Sequence, residues 1–329
     1  MRIKVWTVLI AAALTACALV QTTVNPAALP AVTEFGAHEN PMEWWYVSAY
    51  LPGDGLALHW AQFRVRDPRV PVPVFISHVA VTDLRSGQVT FLEQSPGAGE
   101  VAFPPLRIRQ GAWMLTQAGP QPGAVSTGAF ALKAGPLDLT LTPLKGPVLH
   151  PPGFSGSADT GVLFYQGVTR LALAGSVNGR AVQGEAWLDH QWGNQIPGQT
   201  ALWDWFSVQL EGGRDLMVYR VRRLDGTVAQ LIGSVVEPDG SVRAVRGLRA
   251  VPGEEWVSPQ GRRYTLDWQL VSEEFDLRVR AVRREQELLS RSTRIAYWEG
   301  PVEVSGVWAG MPARGQGMME LVSGAWAPK

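Results

Sequence analysis

The 329-residue sequence has a single cysteine, Cys17, so no disulfide can form within the chain. It has no excess of charge of either sign: lysine plus arginine and aspartate plus glutamate stand at 29 each. That balance supplies no basic face for nucleic acid, and no aromatic-basic motif of an RNA-binding module appears. The one locally basic run, Arg278–Arg284, reads as a strand with a solvated face. Helical periodicity is almost absent. There is no GxSxG elbow, since Ser155 in "GFSGSAD" has the wrong spacing, and no glycine-rich phosphate loop opens a helix. The five histidines fall into no HExxH or Cys/His spacing, so the linear pattern predicts no structural or catalytic zinc site.

Long apolar runs are also scarce. The one that stands out, Val5–Ala16, is too short for a stable membrane span and follows the positive Arg2 and Lys4. It ends in "LTAC", Leu14–Cys17, which resembles a bacterial lipobox. The expectation is a lipoprotein signal segment at 1–17, lipidation of Cys17, and a linker at 18–33 rich in threonine, proline and alanine. The mature protein is then exported and tethered by lipid to the outer face of a bacterial membrane, periplasmic or at the cell surface.

What the chain does contain is turn chemistry, 35 glycines and 24 prolines, set between short runs of period two. "EWWYVSAYL" from Glu43, "LALHWAQFRVR" from Leu56 and "FISHVAVTDL" from Phe75 alternate as half-buried strands do. Asn178-Gly179, Asp225-Gly226, Asp239-Gly240 and Gly212-Gly213 are tight-hairpin pairs between such runs. Regularly spaced short strands mean an all-β sandwich or barrel, and the length asks for two β-domains. The spacing puts them at 34–197 and 198–329, divided near Gln195–Thr200, with no evident sequence repeat.

Fourteen tryptophans make the third feature. On a strand from Glu43, Trp44 and Tyr46 face one way while Glu43 and Trp45 face the other. Either pair can be packing or can line a cavity. His78 and His59 sit on otherwise apolar strands, which suits a hydrogen-bonded core residue as well as a catalyst. In "EAWLDHQWGNQ", Glu185–Gln195, one face carries Glu185, Trp187 and Asp189 and the other Leu188 and His190. An aspartate flanked by Trp187 and Trp192 is desolvated, which raises its pKa and makes it a proton donor. A strand-end cap with packed tryptophans fits the spacing equally well. In "ALWDWFSVQL", Trp203 and Trp205 share a face. Glu299 and Glu320 are a possible carboxylate pair whose separation the sequence leaves open.

The blocks "HENPMEWWYVSAYL", "HWAQFRVRD", "ISHVAVTD", "VQGEAWLDHQWGNQ", "LWDWFSVQLEGGRDLMVYRVRRLDG", "YWEGPVEVSG" and "GQGMMELVSG" follow one another as in the AttH-like proteins. That group is related to the carotenoid 1,2-hydratases, the hydroxyneurosporene synthases. The resemblance runs from about His38 to Gly324. It implies two lipocalin-like β-barrel domains side by side, with a cleft for an apolar small-molecule ligand near their junction. It also implies hydration of a terminal isoprenoid double bond without cofactor. Asp189 is then the proton donor, and His190 either orients it or handles the water's proton. Trp187 and Trp192 stabilise a cation, and Glu43, Trp44, Trp45, Tyr46, His78, Tyr165, Trp203 and Trp205 shape the pocket. A non-catalytic alternative, suggested by AttH-like proteins encoded beside ABC-type permeases, is a lipid-binding or lipid-handing lipoprotein working with an export complex.

Overall fold

The structure, a computed structural model, describes residues 29–67, 69–119 and 128–327. The expected signal segment and Cys17 lie outside these residues. Every regular element among the described residues is a strand. In chain order the first twelve are β1 (Met42–Leu51), β2 (Leu56–Val65), β3 (Val74–Asp83), β4 (Val89–Gly97), β5 (Glu100–Ala102), β6 (Arg107–Gln110), β7 (Trp113–Gln117), β8 (Phe130–Ala134), β9 (Leu137–Pro143), β10 (Val148–Ser157), β11 (Gly161–Val177) and β12 (Arg180–Gly193). The rest are β13 (Leu202–Leu210), β14 (Asp215–Arg222), β15 (Val228–Val236), β16 (Val242–Ala244), β17 (Arg249–Pro252), β18 (Glu255–Val257), β19 (Arg263–Thr265), β20 (Asp267–Val271), β21 (Phe275–Ala281), β22 (Glu287–Leu289), β23 (Ile295–Trp308) and β24 (Met311–Ala325).

Two curled antiparallel sheets result, all-β as the alternating runs imply and in the double lipocalin-like arrangement that the family resemblance implies. The first has order β4-β3-β2-β1-β12-β11-β9-β8-β7-β6-β5, with β10 on β11. The second has order β16-β15-β14-β13-β24-β23-β21-β20-β17, with β22 on β23. In both, the first strand lies between the second and the last. β13 therefore repeats β1, β24 repeats β12, and β23 repeats β11. The hairpin joining β11 to β12 turns at Asn178 and Gly179, with φ of 52° and 75°. Those positive values are what a tight turn matching the strand twist requires, and Asn-Gly supplies them at least cost.

Each sheet wraps its own apolar core. Trp45, Val47, Trp60 and Leu188 belong to the first, and Phe206, Val208, Trp298 and Leu321 to the second. A third cluster fills the junction, where Trp44, Tyr46 and Trp187 meet Trp203, Trp205 and Tyr219. All ten residues of β1 and all nine of β13 are buried. These strands need apolar or hydrogen-bonded side chains on both faces, one toward a barrel and one toward the other sheet. That double burial is why "EWWY" and "WDWF" place large side chains at consecutive positions.

Candidate functional site

The junction encloses a cavity of about 660 Å³, mouth included, but little of it is wide enough for the centre of a water molecule to move in. It is a thin slot between the outer faces of the two sheets, not the interior of either barrel. Side-chain parity decides what reaches it. On β1 the even positions Trp44 and Tyr46 face the slot, and on β12 the odd positions Asp189 and Gln191 do. Trp203 and Trp205 answer from β13, and Glu320 from β24. The Trp44 and Trp203 rings stack with centroids 5.9 Å apart, and Tyr46 meets Trp205 edge-on at 5.4 Å.

Asp189 is 2% exposed. Its Oδ2 accepts from the Tyr165 hydroxyl at 2.7 Å and its Oδ1 from Trp187 Nε1 at 2.7 Å. Trp205 Nε1, from the second sheet, donates to the Tyr165 oxygen at 2.6 Å. Tyr165 and Trp187 thus stand behind the carboxyl and aim it at the slot. Burial pushes Asp189 up to about 7, against the opposing pull of these two hydrogen bonds. No lysine or arginine lines the slot among the described residues, so no cation offsets the lost hydration.

Two further carboxyls face the same space. Glu299 on β23 is paired directly with Glu320 on β24, and both line the slot. Burial, with the Glu299 charge beside it, pushes Glu320 up to about 8, while a 3.1 Å hydrogen bond from Trp203 Nε1 works the other way. Glu299 Oε1 accepts from the Tyr46 hydroxyl and lies 3.1 Å from His59 Nδ1. His59 Nε2 and Gln191 Nε2 are buried and have no protein partner, so each can serve a polar group of a ligand. Tyr219 and Tyr297 complete the aromatic wall, and burial holds both hydroxyls well above their usual range.

Of the residues expected from sequence, Asp189, Trp44, Tyr46, His78, Trp203 and Trp205 line the slot, with Tyr165 and Trp187 directly behind Asp189. His190, Glu43, Trp45 and Trp192 do not. Their positions have the opposite parity on β12 and β1, so they point into the first barrel. There His190 stacks on Trp45 with centroids 4.7 Å apart and bonds Glu43 and Gln166, on the opposite face of β12 from the Asp189 carboxyl. His38 joins this group, which linear spacing had not marked. The sequence reading also left out Phe63, Gln191, Tyr219 and Tyr297. Tyr219 had a usable signal: the Gly212-Gly213 turn sets a register that puts it opposite Trp205.

The sequence pattern of the AttH-like family matches residues 22–324. A solved structure from Nitrosomonas europaea described as an AttH superposes with a TM-score of 0.75 at 25% identity, over 92% of this chain and 99% of that one. Kievitone hydratase from Nectria haematococca superposes at 0.66 with 16% identity, over 87% and 90% of the two chains. CghA does so at 0.56 with 12% identity, over 88% and 90%. These last two share the fold. No curated protein matches the sequence.

Proposed function

The chain belongs to the AttH-like family, and from that premise we propose that it is a cofactor-free hydratase acting on an apolar alkene, with Asp189 as the acid. The observation that carries this reading is the setting of Asp189. It is a buried carboxyl facing an enclosed aromatic slot, with both oxygens held by fixed donors and no cation beside it. Trp187 Nε1 can only donate, and the Tyr165 oxygen already accepts from Trp205. The Asp189 proton therefore has its outlet in the slot. A pKa near neutrality suits a general acid, which contributes about 10²–10⁴-fold to a rate.

In the proposed reaction Asp189 gives its proton to the less substituted alkene carbon, and the π pair becomes the new C–H bond. The neighbouring carbon becomes a cation. The faces of Trp44, Trp203 and Trp205 stabilise it, by roughly 2 kcal/mol or more where water is excluded. Water then forms the C–O bond, and its surplus proton passes to Glu299, which Tyr46 and His59 hold in place. Glu299 later returns a proton to the ionised Asp189, and a tertiary alcohol leaves. The thinness of the slot favours a slim, extended substrate, and the family resemblance points to an acyclic isoprenoid end of the carotenoid 1,2-hydratase type. The name of one fold relative, kievitone hydratase, is in keeping with this class of reaction. The same reading makes the protein an exported lipoprotein held at Cys17, on the strength of the Arg2–Cys17 pattern.

The test is incubation of purified protein with an acyclic carotenoid in ¹⁸O-water. We expect a tertiary alcohol carrying ¹⁸O, and its loss in Asp189→Asn while the ligand still binds. Tightly copurified lipid with no labelled product would instead indicate a carrier that hands lipid to an export permease.

A further inference from the structure

On the face of β12 turned away from the slot, three side chains converge that the hydration chemistry does not use. Glu43 Oε1 lies 2.8 Å from His38 Nδ1 and 3.0 Å from His190 Nε2. The three donor atoms all fall within 4.8 Å of one another. The Glu43 and His190 side chains are wholly buried, whereas that of His38 is 21% exposed.

The hydrogen bonds around this group determine what can sit inside it. Gln166 Nε2 donates to Val32 O, so its Oε1 must accept, and it does so from His190 Nδ1 at 3.0 Å. That fixes the proton on Nδ1 and aims the Nε2 lone pair at Glu43 Oε1. In the neutral imidazole two acceptors then face each other across 3.0 Å, among the rings of Phe35, Trp45 and Trp192. Such a pair repels unless an electrophile lies between them. Outer partners orient each member: Gln166 behind His190, Arg64 Nη1 at 3.2 Å from the other oxygen of Glu43, and the Trp192 ring stacked 3.9 Å from His38. Metal-ligating imidazoles and carboxylates are oriented by outer shells of this kind.

We propose that His38 Nδ1, Glu43 Oε1 and His190 Nε2 bind one divalent first-row transition ion of the zinc type. Two imidazole nitrogens and one carboxylate oxygen suit that ion, and a water entering past His38 completes four-coordination. Zinc bonds of 2.0–2.1 Å set tetrahedral neighbours about 3.3 Å apart, so the two Glu43–histidine separations need only a few tenths of an ångström of adjustment, and the two imidazole nitrogens stand within 4.8 Å of each other. The bound ion staples the chain entering β1 to the C-terminal end of β12. The site lies outside the slot and takes no part in the proposed hydration.

The test is equilibrium dialysis of the whole chain, purified with chelator, against Zn²⁺, read by atomic emission and by thermal unfolding. We expect one ion per chain, a Tm that rises with free Zn²⁺, and visible absorption bands of a tetrahedral centre when Co²⁺ replaces it. His38→Ala, chosen because its partial exposure spares the core, should weaken binding by on the order of 100-fold. Absence of saturable Zn²⁺ uptake at micromolar concentration, or uptake unchanged in His38→Ala, overturns the proposal and leaves a proton shared by His190 and Glu43. The Co²⁺ spectrum of the unsubstituted protein decides the question even if the variant does not fold.

Discussion

At the scale of the residue, three carboxyls share one thin apolar slot, and their protonation links function to stability. Asp189 is raised by burial from 3.8 to about 7, and Glu320 from 4.5 to about 8. A raised carboxyl holds its proton more tightly folded than unfolded, so its favourable contribution is full below the unfolded value and is lost as pH rises through the folded one. The protein should lose stability between about pH 4 and pH 8 on account of these two groups, on the order of a few kcal/mol. Asp189→Asn should flatten that slope, as thermal melts across pH would show. Turnover should fall as pH rises through about 7, where the donor ionises. The alternation of Trp44 with Trp45, and of Asp189 with His190, was legible in the sequence because strand parity is local. Parity also excluded His190 from the face of Asp189. The catalytic expectation for it came from the family resemblance and ran against that geometry.

At the scale of the element, β11 carries a device that no hydrophobic pattern reveals. Gly167 pairs with Asp189 across the ladder. A methyl group there would meet Asp189 Oδ1 at 2.7 Å and His150 Nε2 at 2.8 Å. Gly167→Ala should therefore cost about 1–3 kcal/mol, measurable in urea, and should displace the acid enough to lower turnover more than it lowers ligand binding. In the second sheet the equivalent position of β23 is Glu299, facing Glu320. One half thus leaves room beside its acid where the other places a second carboxyl. The strands and the Asn178-Gly179 hairpin were readable from period two and turn chemistry. Which strands become neighbours was not, because the pairing of β1 with β12 joins segments roughly 140 residues apart.

At the scale of the whole molecule, the slot is built from matching positions of two similar sheets. Trp44, Tyr46 and Ser48 of β1 correspond to Trp203, Trp205 and Ser207 of β13, and Asp189 of β12 corresponds to Glu320 of β24. The shared W-x-aromatic-x-S pattern was present in the sequence but is too short to stand out without the sheet order. A buried clamp also crosses the junction. Asp215 accepts from Lys145 at 2.7 Å, Arg170 at 2.7 Å and Thr169 at 2.8 Å. Asp215→Ala would leave the buried Lys145 without a carboxylate and Arg170 with Glu185 alone, and should cost about 3–5 kcal/mol in denaturant unfolding, with the slot loosened as the sheets part. Enclosure by the two sheets is what shields Asp189 from bulk water, and the proposed chemistry depends on that shielding. The most direct measurement is the infrared carboxyl band of Asp189, isolated as the difference between the protein and Asp189→Asn and followed across pH. The account predicts a midpoint near 7, whereas a midpoint near the ordinary 3.8 would contradict it.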